Sequence, residues 1–257
     1  MYQQYLDAAR EAAAAAAEVI RHYYGKPVSV ETKADDSPVT VADREAEHVI
    51  REAISKRFPQ HAFFGEEFGA SGKADARFRW LVDPIDGTKS FVRGYPFFST
   101  QIALMLDGEV IVGVSRAPVF GEEAWATRGG GAFLDGERIA VSTTECIEDA
   151  SLSAGNIASL ADSEAWTRYG SLLRRVNRVR GYGDFYHYHL LARGAIDIVL
   201  ESDLNILDIA ALSLIVEEAG GRFTTLAGGK LHDGMRSVLA TNGRLHDELL
   251  NAIDWSD

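Results

Sequence analysis

Residues 79–91 read RWLVDPIDGTKSF. An apolar, strand-like approach leads to Asp83 and Asp86, and Gly87-Thr88 opens what reads as a helix. A tight turn at the strand end, bracketing Pro84-Ile85, can aim both carboxylates at one point. Hard divalent cations such as Mg²⁺ take a few carboxylate oxygens, with water and substrate oxygens completing the shell. The backbone carbonyl of Ile85 lies between the two aspartates as a further metal oxygen. The helix beginning at Gly87-Thr88 has free N–H groups and a positive dipole end, which suit an anion. Metal and phosphate sites therefore share a few residues. Taken alone, DPIDG is also a turn with two solvated aspartates, because Asp, Pro and Gly are common turn residues.

A metal site draws acids from several segments, and three further segments supply them. Glu66 and Glu67 follow the apolar HAFFG, so one of them can reach the same strand-end cleft as Asp83. Asp43 lies in SPVTVAD, near the start of a helix. Asp208 begins the very apolar LDIAALSLIV, where a half-buried carboxylate needs a partner. Its other reading is a charge that interacts with its own helix N-terminus.

The chain between these acids alternates regularly. Residues 3–24 predict a helix with Leu6, Ala9, Ala13, Ala16 and Ile20 on its apolar stripe. Its hexa-alanine run needs no role beyond helix propensity. VSVETK is strand-like, ADDSP a polar turn, and Thr40 can cap a second helix running to about Arg57. TQIALMLDGEVIVGVSRAPVF reads as a hairpin with Asp107-Gly108 at its tip, and EEAWATRGGGAFLDGERIAVS as a second with Asp135-Gly136. The triple glycine 129–131 lacks the GK[ST] of a Walker loop and reads as a β turn. Beyond residue 143 strands and helices alternate: SLSAGN, SEAWTRYGSLLRRV, DFYHYHLLARG, AIDIVLE, LDIAALSLIVEEAGG, GRFTTL, SVLATN and HDELLNAI. The expected organisation is an N-terminal α+β half, residues 1–142, carrying the metal site. A C-terminal α/β half, residues 143–257, completes the site and the substrate pocket.

Composition narrows the function. A chain of 257 residues, 46% hydrophobic and 25% charged, is long enough for a sizeable core and ordinary for a globular protein. No stretch approaches the roughly 20 apolar residues of a membrane span. The start of the chain has no basic-then-apolar leader, and Cys146 is the lone cysteine, so a cytoplasmic setting is expected. A net charge of −12 argues against nucleic acid, which needs a basic face. It does not argue against a phosphorylated metabolite, because bound cations reverse the sign of a local site.

In joint order and setting, GEE (65–67), DPIDGT (83–88) and LDIAA (207–211) resemble the inositol monophosphatase family. Lys33 with SPVTVAD, GGGAFLDGERIAVS and EEAGGRFT support the resemblance, which runs from about residue 5 to the C-terminus. It implies a layered αβαβα sandwich, usually dimeric, and a Mg²⁺-dependent phosphate monoesterase with two or three ions per site. Carried over by motif, Glu66, Asp83 and the Ile85 carbonyl would bind a first Mg²⁺. Asp83, Asp86 and Asp208 would bind a second, and Glu67 and Asp43 would support a weaker third through water. Thr88 with Asp43 would orient and deprotonate the attacking water, and the N–H groups of Gly87 and Thr88 would hold the phosphate. Two cations about 3.5–4 Å apart stabilise both oxygens of an in-line displacement, so no phosphoenzyme is required.

Departures from the family pattern bear on the substrate. Lys89-Ser90-Phe91 replaces the usual Thr-Asn-Phe, and Leu207 stands where a Trp is usual. DGTKSF and GYGDFYHY (181–188) are similar to the branch that hydrolyses L-histidinol phosphate, in histidine biosynthesis. Asp184 at a helix start and Glu201 at a strand end are the expected partners of its amine and imidazole, with Asn205 nearby. His187 and His189 read as packing or surface residues, since this carboxylate set favours Mg²⁺ over softer metals. Leu207 is expected to reshape the pocket wall. Alternatives are an inositol-1-phosphate phosphatase, a broader sugar-phosphate or adenosine-bisphosphate phosphatase, and a metal- or phosphate-binding regulatory protein without turnover.

Overall fold

The structure, a computed structural model, describes residues 1–33, 38–73 and 75–255. The ADDSP turn and Ser37 of SPVTVAD fall at 34–37, outside the described residues save for Pro38. The chain begins with α1 (Gln3–Tyr23), whose expected stripe is buried in full: Leu6, Ala9, Ala13, Ala16 and Ile20. Ala12 and Ala17 are buried as well, so the alanine run also gives a small-side-chain face for close packing against α2 (Val41–Arg57). Between the two helices, β1 (Val30–Thr32) and β2 (Pro38–Thr40) pair antiparallel.

These two helices cover one face of an eight-stranded sheet. Its strands are β3 (Ala62–Gly65), β4 (Gly69–Ser71), β5 (Phe78–Asp86), β6 (Ser99–Leu106), β7 (Glu109–Ala117), β8 (Glu122–Thr127), β9 (Gly131–Leu134) and β10 (Glu137–Ile139). They lie in the order β10-β9-β8-β7-β6-β5-β3-β4, all antiparallel except β3 with β5. Both hairpin tips use the expected Asp-Gly pairs. Asp107 and Gly108 have φ of 52° and 89°, and Asp135 and Gly136 have 51° and 91°. Positive φ at both central residues is what a two-residue hairpin turn demands. A short α3 (Thr88–Val92) follows β5.

The second sheet has five strands, β11 (Ser151–Gly155), β12 (Arg178–Arg180), β13 (Ile198–Ser202), β14 (Arg222–Thr224) and β15 (Ser237–Thr241), in the order β12-β11-β13-β15-β14. Helices α6 (Asp184–Ala192) and α7 (Ile206–Glu218) fill the space between the sheets, and α7 packs on β5 to β9 as well as on β14. On the outer face lie α4 (Ala158–Ala161), α5 (Ala165–Leu173) and α8 (His246–Ile253), closing a third apolar cluster. The architecture is a five-layer αβαβα sandwich. Burial on both faces explains why α7 is apolar nearly all round, with ten buried residues from Ile206 to Val216. The glycine turn between β8 and β9 holds an anion of the chain's own. Gly129 and Gly131 each donate an N–H to the Glu218 carboxylate at 2.8 Å.

Candidate active site

Asp83 and Asp86 converge by a route other than the expected turn. The DPID segment stays in β5, and its register against β6 slips: Asp83 pairs with Gln101 and Asp86 with Ser99. Three steps on one strand oppose two on the other, which is a β-bulge. In a regular strand residues three apart face opposite sides, and the extra residue returns them to one side. Thr100 Oγ1 donates to the Pro84 carbonyl at 2.9 Å, and the Ile85 N–H donates to Asp83 Oδ1 at 2.9 Å, so the bulge is fixed from both strands. Gly87 then takes φ 93°, and a Cβ there would lie 2.6 Å from the Phe97 carbonyl oxygen. Only glycine fits that link.

Asp208 joins the pair from α7, and ligand oxygens of Asp83, Asp86 and Asp208 lie within 4.8 Å of one another. Burial, reinforced by Glu66, Asp86 and Asp208, drives the Asp83 carboxyl well above its ordinary range. Burial does the same to Asp86, with Asp184, Asp208 and Glu201 adding to it. Asp208 is pushed up to about 7, mainly by burial, against the restraint of the Asn205 N–H. Carboxylates that crowd in this way want protons or cations between them.

Two helix starts supply site residues by the same device. Thr40 caps α2, and the third helical residue, Asp43, accepts from the Thr40 N–H at 2.8 Å and its hydroxyl at 2.6 Å. Asn205 caps α7, and Asp208 accepts from the Asn205 N–H at 2.8 Å and its amide Nδ2 at 2.9 Å. These are reciprocal capping boxes with an aspartate in the third position. Asp208 is thus both cap and site residue. Asn205, expected near the substrate, has its Oδ1 accepting from Leu207 N at 2.7 Å and its Nδ2 donating to Asp208 Oδ1 at 2.9 Å. Its N–H and its amide Nδ2 both hold the Asp208 carboxylate.

Asp43 keeps its other oxygen for Thr88, whose Oγ1 lies 3.0 Å from Asp43 Oδ1 and 3.0 Å from the Ile85 carbonyl oxygen. Burial raises the Asp43 carboxyl, partly offset by its hydroxyl and amide donors. Glu66 and Glu67 share the ammonium of Lys33, at 2.8 and 2.5 Å. Burial opposes that charge, but the two carboxylates outweigh it and raise the Lys33 pKa. Glu67 is pushed up to about 7 by burial, against the pull of Lys33. Glu66 adjoins the aspartate trio closely enough to raise both Asp83 and Asp208, while its Oε1 faces Lys33.

Beside the trio lies a pocket lined by Asp86, Asp208, Asp184, Glu201, Asn156 and Tyr188, with Leu204, Ile209 and Leu212 as its apolar wall. Asp184 starts α6 at φ 45° and receives the Ser90 hydroxyl at 3.4 Å. Burial, then the charge of Glu201, pushes Asp184 up to about 6. Glu201 is buried and accepts from the Tyr188 hydroxyl at 2.8 Å, with His187 Nε2 at 3.2 Å and Asn156 Nδ2 at 3.5 Å. His187 and Tyr188 are partners of a pocket residue that the sequence reading missed. Their spacing from Asp184, three and four positions on one helix, is a signal that places them on the same face. His189 is buried elsewhere, between Ser115 and Glu122. Leu207 is buried in the core and does not line this pocket, whose apolar wall is Leu204, Ile209 and Leu212.

The inositol monophosphatase family profile matches residues 1–256. A histidinol-phosphatase of Mycobacterium tuberculosis is 45% identical over 231 residues, 88% of each chain. One of Streptomyces coelicolor is 39% identical over 251 residues, 94% of this chain and 93% of that one. Among solved structures, the extragenic suppressor protein suhB of Bartonella henselae superposes with a TM-score of 0.91 at 30% identity, covering 99% of this chain and 100% of that one. The chain belongs to the inositol monophosphatase family. No helix of the described residues is long and apolar enough to cross a membrane.

Proposed function

We propose that the protein is a Mg²⁺-dependent phosphatase whose substrate is L-histidinol phosphate. Family membership makes it a phosphoric monoester hydrolase acting on small phosphorylated compounds. The observation that carries the substrate is the acid pair Asp184 and Glu201, which lines the pocket next to Asp86 and Asp208. Carboxylates there match a leaving alcohol that bears an ammonium and an imidazole. Two histidinol-phosphatases share 45% and 39% identity with this chain, which supports the same substrate.

The residues present fit a hard cation. The donor set is all oxygen, and its crowding raises carboxyl pKa values in the manner a divalent ion relieves. Asp83, Asp86 and Asp208 would hold one ion; Glu66 with Asp83 and the Ile85 carbonyl would hold another, and Glu67 with Asp43 would support a weaker third through water. Bound there, the ions would supply Lewis-acid stabilisation of the charge that develops on the phosphoryl oxygens. Thr88 donates its proton to Asp43 Oδ1, so its oxygen lone pairs are free to accept from a water and orient it. Asp43, its basicity raised by burial, takes the proton through Thr88. The N–H groups of Gly87 and Thr88 hold the phosphate, and Asp184 and Glu201 the amino-alcohol end. On this reading residues 1–142 carry the phosphoryl chemistry and 143–257 the leaving group, with Asp208 crossing between them. A cytosolic homodimer in histidine biosynthesis is the setting it implies.

The test is phosphate release with Mg²⁺ from L-histidinol phosphate and from inositol 1-phosphate, side by side. The expected result is a strong preference in kcat/KM for the first. The opposite preference would move Glu201 to hydroxyl recognition and reject the substrate assigned here.

A further inference from the structure

Glu47 lies one helical turn beyond Asp43 on α2 and is fully buried. A buried carboxylate is costly unless paired and hydrogen-bonded, so its partners show what it is for. Its Oε2 accepts the Glu67 N–H at 2.6 Å, and its Oε1 accepts the Phe68 N–H at 3.3 Å. Arg51 Nη2 holds Oε1 at 2.8 Å. Arg51 in turn donates to the Gly69 carbonyl at 2.9 Å and to Ser71 Oγ at 2.6 Å, and its guanidinium lies 4.2 Å from the Phe63 ring centroid. The pair therefore grips the backbone of the turn that follows β3 and carries Glu66 and Glu67, and the first residue of β4 beyond it. Gly65 makes room for it, since a Cβ at that position would stand 2.1 Å from Glu47 Oε1.

We propose that Glu47, backed by Arg51, is a positioning residue for the cation site, which aims the Glu66–Glu67 carboxylates by fixing the N–H groups of their turn. This rests on the reading that those glutamates face the metal. It explains why an acid side chain is kept in this helix–sheet interface, where an alkyl side chain would pack at less cost. It also explains why glycine precedes the two glutamates. Partners that orient ligands in this manner are worth about tenfold to a hundredfold in metal affinity.

The test titrates Mg²⁺ into the full-length chain by calorimetry and follows the Mg²⁺-induced rise in Tm, for the unsubstituted protein and for Glu47→Gln. The expected result is a Kd for Mg²⁺ raised about tenfold or more. The concentration for half-maximal activation should rise in parallel, with kcat at saturating Mg²⁺ kept. The ratio of the two Kd values should persist at about 1 M KCl, where the Debye length is about 3 Å. Should Glu47→Gln fail to fold, Arg51→Met and Gly65→Ala each loosen the same grip from outside it and are expected to weaken Mg²⁺ in the same direction. An unchanged Kd in a folded variant overturns the proposal, even if its Tm is lower. So does a ratio that vanishes at high salt, which would make the effect one of through-space charge. If the unsubstituted chain itself bound no Mg²⁺, the metal reading beneath the proposal would fall first.

Discussion

Thr88 Oγ1 meets Asp43 Oδ1 at 3.0 Å, joining the first residue of α3 to the third of α2 across forty-five positions of sequence. The contact gives one hydroxyl an ionisable partner on the protein side and leaves its oxygen facing the site. Thr88→Ala should therefore lower kcat by about a hundredfold or more while the circular dichroism spectrum stays that of the unsubstituted chain. Thr88→Ser should keep most of the activity. Undiminished turnover by Thr88→Ala would reject the proton route through Asp43. Loss of turnover in a folded variant would dispose of a non-catalytic, regulatory reading of the site.

Asn205 separates stability from metal binding. Asn205→Ala removes the cap of α7 and should cost about 1 kcal/mol in urea denaturation. It also frees Asp208 and should weaken Mg²⁺ about tenfold by calorimetry. Asn205→Ser retains a capping oxygen but cannot reach Asp208 as the amide does. It should recover the stability and not the affinity.

For Asp184 the relevant comparison is between substrates. On the proposed reading, Asp184→Asn removes a charge-assisted partner of the ammonium or imidazole, worth about tenfold to a hundredfold in affinity. KM for L-histidinol phosphate should rise by that order, while KM for an uncharged aryl phosphate moves little. Equal effects on both would leave Asp184 as a helix start and no more.

The raised carboxyls make a pH prediction whose sign is opposite to that of ordinary salt-bridged acids. Asp208 and Glu67 are pushed up to about 7 and Asp184 to about 6, whereas unfolded carboxyls titrate near about 4. The folded, metal-free chain thus keeps protons that the unfolded chain has released. Its stability is fully present below about pH 4 as far as these groups are concerned, and is lost as pH rises towards about 7. Mg²⁺ must displace the same protons, so its stabilisation should grow over that range. Thermal denaturation in EDTA and in Mg²⁺ from about pH 5 to about pH 8 checks both. A metal-free Tm that climbs with pH through this range would contradict the crowding of the aspartates.

Much of this was readable from residues alone. The helix stripes, both Asp-Gly hairpins and the segments bearing the acids follow from local chemistry, because spacing along the chain encodes them. The bulge at Asp83 was not, since it is a mismatch of register with Gln101 and Ser99 on another strand. Nor were β4 and β12, three-residue strands at sheet edges too short for a period to declare itself. The cluster of His187 and Tyr188 on Glu201 depends on how α6 docks on β13, and no local signal announces a docking partner.

The layer of α6 and α7 between the two sheets has an evolutionary consequence. On the proposed reading, the groups that hold phosphate and cations come chiefly from residues 43–88, and those that face the leaving alcohol from 184–201, on separate stretches of chain that meet only in the finished fold. Replacing the first turn of α6 would alter which alcohol is welcomed without disturbing how its phosphate is removed. A lineage built this way can change diet while keeping its teeth.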